Sequence, residues 1–265
     1  PRDYFYGEIT CEIPKPMRLD RYRCTALLAH GQYQLIQTEA IAGTPDEARE
    51  VARWQLKDQV EFPVDTAAVD LLPIPADGRA PQMFAALAAE AMIAPLVQAF
   101  QAAKIPLAAI DLPELSQRNL AALFEESGRA LATLIFDEDE GLLTFTLNGE
   151  LLVVRHVEIT ARQLSAADED RRGMLFERIA LDIQRSLDNF DRIYSAVPLS
   201  HLLVAPIPGV DGFSSYLRAN LTVQVVPLEL SSVIDFGAVP ALLDPLRQFQ
   251  SLRAIGAALR EEATA

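Results

Sequence analysis

The sequence predicts an α/β fold in two lobes, on three observations. Short apolar runs alternate with amphipathic helical stretches along the 265 residues, as in layered α/β units. Hydrophobic residues make up 50% of the chain, enough for one large core or two of ordinary domain size. The stretch Ile105–Phe124 runs from a short apolar strand into a proline-started helix, and it divides the chain. Residues 1–112 read as an N-terminal α/β lobe, and 113–265 as a C-terminal α/β lobe with a β-meander and a long crossing helix.

In the first lobe, Tyr4, Tyr6 and Glu8–Glu12 suggest a strand closed by Pro14 and Pro16. Arg23–Ala29 and Gln32–Thr38 read as two strands of a hairpin turning at His30–Gly31. Thr44–Pro45–Asp46–Glu47 is a capping box with proline at the first helical position, so a helix begins there. Ala48, Val51, Ala52, Leu56 and Val60 form its apolar face, and Phe62–Pro63 ends it. Ala67–Leu72 is expected to be a strand, Pro73–Arg79 a turn, Gln82–Ala88 a strand and Ala91–Ala103 a helix. Ile105–Leu112 is then a strand covered on both faces, with Asp111 as cap of the following helix and Glu114 at the positive end of its dipole.

In the second lobe, Gly128 ends the helix Leu115–Phe124, and Leu131–Phe136, Leu142–Leu147 and Glu150–Glu158 form a meander. Asn148–Gly149 supplies the two positive-φ residues of a tight hairpin turn. In Arg171–Tyr194 the residues Phe176, Ile179, Ile183, Leu187, Phe190 and Tyr194 recur at helical spacing, and a helix of about 24 residues suits one that crosses a whole sheet. Ser200–Ala205 reads as a strand, Asp211–Ala219 as a short helix and Thr222–Val226 as a strand, with Pro227–Phe236 irregular. Leu252–Leu259 is an alanine-rich closing helix whose small side chains permit close packing.

The formal net charge is −14, from 23 Lys+Arg against 37 Asp+Glu, with no basic stripe, which disfavours a nucleic-acid role and broad adhesion to anionic membrane. Cys11 and Cys24 are too few for a zinc site, and Cys24 reads as a buried small hydrophobe. No signal peptide and no membrane-spanning apolar stretch is visible, so a soluble protein of a reducing compartment is expected.

G-x-S-x-G, C-x-x-C and P-loop patterns are absent, and no enzyme activity is expected. His30, His156 and His201 show no spacing that brings two of them to one metal. The acidic run Asp137, Glu138, Asp139 and Glu140 could hold Mg²⁺, but a solvated hairpin turn explains it more simply. Catalytic, cofactor and metal residues are accordingly expected to be none. Trp54, between Arg53 and Gln55, is read as core or lobe-interface packing, with a partner hot spot as the alternative.

Several stretches together resemble a known family: Ala52–Asp58, Phe62–Pro63, Val69–Asp70, Ile110–Glu114 with Arg118–Leu120, Leu147–Glu150 with Arg155, Asp182–Leu187 and Ala254–Arg260. From about Arg23 to Arg260 the chain resembles the PilM and MshI proteins of type IV and mannose-sensitive haemagglutinin (MSHA) pilus biogenesis, and the segment around Trp54 leans to the MshI branch. The resemblance implies an actin-like (ribonuclease H-like) two-lobed fold, here lacking part of the first sheet. It also implies a scaffold at the cytoplasmic face of the inner membrane that binds the cytoplasmic tail of a PilN/MshJ-like single-pass partner, with self-association left open. The cytoplasmic domain of the secretion protein GspL is a structural relative in that picture.

PilM-like members carry an Asp-x-Gly phosphate loop after the strand matching Leu131–Phe136. Here that loop reads Asp137–Glu138–Asp139–Glu140–Gly141, with negative charge where phosphates would lie. A glycine pair expected after the strand matching Leu202–Ala205 is replaced by Pro206–Ile207–Pro208–Gly209, which removes backbone donors and flexibility. The chain before Cys24 offers no recognisable first phosphate loop. The expectation is therefore a non-hydrolysing adaptor without cofactor. Its alternatives are an ATP-binding switch that keeps Asp137 and Gly141, and a Mg-dependent enzyme using the acidic loop.

Overall fold

The computed structural model describes residues 19–75 and 79–260. The N-terminal strand expected around Tyr4–Glu12, with Cys11, and the tip of the turn near Gly78 lie outside them. Among the described residues the strands form three sheets. Cys24–Leu27 (β1) pairs in parallel with Leu107–Asp111 (β5). Gln34–Glu39 (β2), Ala68–Ile74 (β3) and Gln82–Ala88 (β4) form an antiparallel sheet with β4 in the centre. Ala130–Phe136 (β6), Gly141–Leu147 (β7), Glu150–Val157 (β8), Leu199–Val204 (β9) and Val225–Pro227 (β10) form the largest, in the order β10-β9-β6-β7-β8. Strand β6 is antiparallel to β7 and parallel to β9, so the turns that follow β6 and β9 lie side by side.

The expected His30–Gly31 hairpin is corrected. Both strands exist, but they join different sheets, and the segment between them is a crossing rather than a hairpin turn. Gly31 does take the positive φ, +85°, that made the pair look like one. The Asn148–Gly149 hairpin forms as expected, at φ 53° and 76°.

Helix Pro45–Gln55 (α1) starts at the expected capping box, with Glu47 N–H donating to the Thr44 hydroxyl and Thr44 N–H donating to the Glu47 carboxylate. Glu90–Ala103 (α2) follows β4. Pro113–Ala122 (α3) follows β5 with Pro113 at its start, but Asp111 is not its cap. Leu112 holds that position, while Asp111 accepts from the Leu112 N–H and from Arg260. Strand β5 is only partly covered, whereas all seven residues of β6 are buried, so β6 is the strand enclosed on both faces.

A further short helix, Ala161–Ala166 (α4), has its own Thr160–Gln163 capping box. Glu169–Ile193 (α5) is the long crossing helix, and Phe176, Ile179, Ile183, Leu187 and Phe190 are its buried stripe. On its polar side Arg178 pairs with Glu158, and Asp182 with Arg185. Phe213–Asn220 (α6) and Pro245–Ala258 (α7) are the remaining α-helices among the described residues. The last begins seven residues before the expected Leu252, at an Asp244 cap followed by Pro245.

Helix α3 is the axis of the fold. Eight of its residues, from Pro113 to Ala121, are buried between the large sheet and α7. Gln117 Nε2 donates to Thr133 O, Leu142 O and Thr144 Oγ1, fixing the helix to β6 and β7. Ser116 and Asn119 donate to the α7 backbone at Arg253 and Gly256, and there the small side chains work as expected: a Cβ on Gly256 would sit 2.2 Å from the Ser116 carbonyl oxygen. One main hydrophobic cluster runs from Leu28 and Phe84 through Phe145 and Phe190 to Leu217 and Val225. Among the described residues no helix is long and apolar enough to cross a membrane.

Candidate functional site

The site forms where three turns or strand ends meet α3 and α7. The β1–β2 crossing brings His30 and Tyr33, the β6–β7 turn brings Asp137–Glu140, and the end of β8 brings His156. Helix α3 supplies Glu114 from its first turn, and α7 supplies Arg253.

Asp137 holds the acidic turn together by accepting from the N–H groups of Asp139 (2.9 Å) and Glu140 (2.7 Å). The turn thereby splits by role. Glu138 and Asp139 stay exposed and share Arg162, whereas Glu140 turns inward and is 6% exposed. Arg253 Nη2 lies 2.6 Å from Glu140 Oε1 and 2.7 Å from Asp137 Oδ2. Glu140 Oε2 faces His156 Nδ1 at 3.2 Å and His30 Nδ1 at 3.3 Å. The solvated-turn reading therefore holds for half of the run and is corrected for Asp137 and Glu140. The sequence spacing, which showed no way to bring two histidines to one metal, did not reveal that the His30 and His156 rings lie 4.8 Å apart. His201 lies apart on β9, beside Ser200 and Glu126.

Behind His156 is Glu114, fully buried. Its Oε2 accepts from the Tyr33 hydroxyl at 2.6 Å, and its Oε1 faces His156 Nε2 at 3.4 Å. This environment sets the protonation states. His156 is pushed up to about 9, by Glu114 first and Glu140 next, against burial. For Glu140 burial is the largest influence and favours the neutral acid, yet His156, Arg253 and His30 together hold the carboxyl below its ordinary value. Burial, followed by Glu114, raises the Tyr33 phenol, which stays protonated and acts as a donor.

A groove of about 530 Å³ opens onto the cluster, lined by His30, Tyr33, Gln34–Gln37, Phe84, Glu114 and Val153–His156. Its walls come from β2 and β8, each at the edge of its own sheet among the described residues. The turn after β9 runs Ala205 to Val210, with Gly209 at φ 75° and the Val210 N–H donating to Ile207 O. Pro206 and Pro208 cannot offer N–H donors there.

Two other readings change. Trp54 is 56% exposed, because the buried face of α1 is Ala48, Ala52 and the following Leu56, and a residue two positions from Ala52 points the other way. Core packing is thereby ruled out for its side chain, and Val51, expected on the apolar face, is exposed too. Cys24 is half-buried rather than buried, on a separate groove between β1 and α7.

The constellation was hidden because residues 30, 114, 140 and 156 share no local spacing. Part of it was legible. Counting back from Asn148–Gly149, the hairpin register puts His156 across from Gly141 or Leu142, next to the acidic turn; the observed partner is Leu142.

No family model matches the chain. A segment of 21 residues, 8% of this chain, is 90% identical to sulfoacetaldehyde acetyltransferase of Alcaligenes xylosoxydans xylosoxydans. The chain spans 4% of the length of that curated protein, far less than a domain, and the likeness carries no activity with it. Among solved structures, the PilM–PilN type IV pilus biogenesis complex is similar at a TM-score of 0.68 and 17% identity, over 89% of this chain and 78% of that one. The cytoplasmic domain of EpsL, an inner-membrane component of the type II secretion system of Vibrio cholerae, is similar at a TM-score of 0.49 and 14% identity, over 92% and 77%. The chain thus has the actin-like, PilM-like fold that the stretches around Trp54, Asp111 and Gly256 suggested, and at this identity the likeness is one of fold.

Proposed function

We propose that the protein is a scaffold of a pilus-biogenesis machine, of the MSHA type by its sequence resemblance, that binds the cytoplasmic tail of a PilN/MshJ-like single-pass inner-membrane protein and does not hydrolyse ATP. In this reading it works in the cytoplasm, held at the inner membrane through that partner. The observation that carries the proposal is the match over 89% of the chain to a fold solved in a complex of PilM with PilN.

The reading of the site as a non-hydrolysing one has its own support. A nucleotide phosphate entering at the β6–β7 turn would meet Asp137 and Glu140, and the guanidinium they share, Arg253, is already bound to both. Freeing it would leave two carboxylates against the phosphate. The neighbouring turn offers little in return, since Pro206 and Pro208 lack donors. Exposed Trp54 favours the hot-spot alternative over the core one, since a large aromatic at a free surface costs little folding energy to present and much binding energy to remove.

Two titrations test this. A labelled ATP analogue with Mg²⁺ is expected not to saturate the protein at micromolar concentration; saturation that Asp137→Asn weakens would replace the scaffold by a nucleotide switch. A fluorescent peptide of the PilN/MshJ-like cytoplasmic tail is expected to bind. Trp54→Ala is expected to leave the melting temperature within a degree or so, since exposed substitutions stay within about 0.5 kcal/mol, and to weaken the peptide about tenfold or more. No peptide binding by the folded wild-type chain would overturn the adaptor reading.

A further inference from the structure

We propose that His30 Nδ1, His156 Nδ1 and Glu140 Oε2 are three ligands of a zinc-class divalent metal ion, which ties the β1–β2 crossing to the large sheet. This site stands independently of the partner-binding proposal, because it rests on four side chains and their spacing.

The spacing fits. A tetrahedral ion with bonds of about 2.0–2.1 Å places neighbouring ligand atoms about 3.4 Å apart. Glu140 Oε2 lies 3.2 Å from His156 Nδ1 and 3.3 Å from His30 Nδ1, and one ligand atom from each residue falls within 4.8 Å of the others. Two imidazoles and one carboxylate form a donor set that suits zinc, and the groove beside His30 leaves the fourth position to water.

Two further features support a metal site. Glu114 is fully buried, yet among the described residues its Oε1 receives no hydrogen bond, and it is aimed at His156 Nε2 from 3.4 Å. With a metal on Nδ1, His156 is fixed in the tautomer that carries its proton on Nε2, and this proton points at Glu114: the carboxylate–histidine–metal relay. Tyr33 holds the other oxygen of Glu114, as Arg253 holds the other oxygen of Glu140, so each carboxylate is oriented with one oxygen to spare. Charge agrees. Asp137 and Glu140 share one guanidinium, Arg253, and Glu114 lies behind His156, so carboxylates outnumber the arginine around the cluster and a divalent cation would meet a net negative site.

The test uses the tag-free chain, stripped with chelator, and titrates ZnCl₂ by calorimetry and CoCl₂ by visible absorption. Expected are one ion per chain at micromolar Kd or tighter, and for cobalt the intense d–d bands of a tetrahedral site. His30→Ala, on an exposed crossing where folding is not at stake, is expected to weaken zinc at least tenfold and abolish the bands. Glu114→Gln is expected to weaken it about 10- to 100-fold by loosening the relay. His201→Ala, away from the cluster, is expected to bind as the wild type does. Absence of saturable binding by the folded wild-type chain, or binding that His30→Ala leaves intact, would overturn the site and leave the cluster a proton-balanced ion-pair network.

Discussion

At the residue scale, side chains with a local signature were readable and those defined by distant neighbours were not. Thr44 and Glu47 are three positions apart, and the reciprocal cap read from them is the one observed. The cap has a measurable signature. Glu47 is exposed, and the hydrogen bonds from the Thr44 backbone and then its hydroxyl lower its pKa from the ordinary value. A group whose pKa is lower when folded contributes stability above its unfolded value, and that contribution is lost as pH falls through the folded one. Urea midpoints taken down from neutral pH through the acid range are therefore expected to fall more for the wild type than for Glu47→Gln, and a parallel fall would argue that the cap is inert. At neutral pH, Thr44→Ala is expected to cost about 0.5–2 kcal/mol. Trp54 and Glu140 mark the opposite case. Which way a tryptophan faces, or whether one glutamate of four turns inward, depends on partners more than ten residues away: for Glu140 these are His30, His156 and Arg253.

At the element scale, strands and helices followed their periodicity and caps, while pairing followed only where a tight turn fixed it. The Asn148–Gly149 hairpin was legible because two residues suffice to reverse the chain; His30–Gly31 looked alike, yet its flanking strands went to separate sheets. Helix α4 was legible in Thr160–Gln163 and missed, being only six residues long. The contact between α3 and α7 gives the element scale its own test, since two helix glycines should respond in opposite directions. Alanine is the better helix former by about 1 kcal/mol. On α5, Gly173 is exposed and an added Cβ meets nothing within 4 Å, so Gly173→Ala is expected to stabilise by about 0.5–1 kcal/mol. On α7, the same methyl at Gly256 would meet the Ser116 carbonyl oxygen at 2.2 Å and its hydroxyl at 2.5 Å. The helices would have to part and strain the bonds from Ser116 and Asn119, so Gly256→Ala is expected to destabilise by about 1–3 kcal/mol. Equal shifts in chemical denaturation would mean that the crossing is looser than its geometry.

At the scale of the whole molecule, the sequence divides near Ile105–Phe124, but the hydrophobic interior does not respect the division. Leu28, Tyr33, Ile74 and Phe84 belong to the same cluster as Phe145, Phe190 and Leu217. Polar ties cross it as well: Tyr33 to Glu114, Arg260 to Asp111, and the His30–Glu140 contact. Sequence order could not show this, because α7 returns from the end of the chain to cover α3 and reach β1. Cooperative unfolding follows when the parts share more interface than each can forgo. Calorimetry is therefore expected to show one transition. Phe84→Ala, in the three-stranded sheet, and Phe190→Ala, on the crossing helix, should both lower it, each by about 3–5 kcal/mol in stability as buried aromatic truncations do. If Phe84→Ala instead splits the trace and leaves a second transition at the wild-type temperature, residues 113–260 hold together without the first sheets. The shared core would then be an interface between two separately stable lobes.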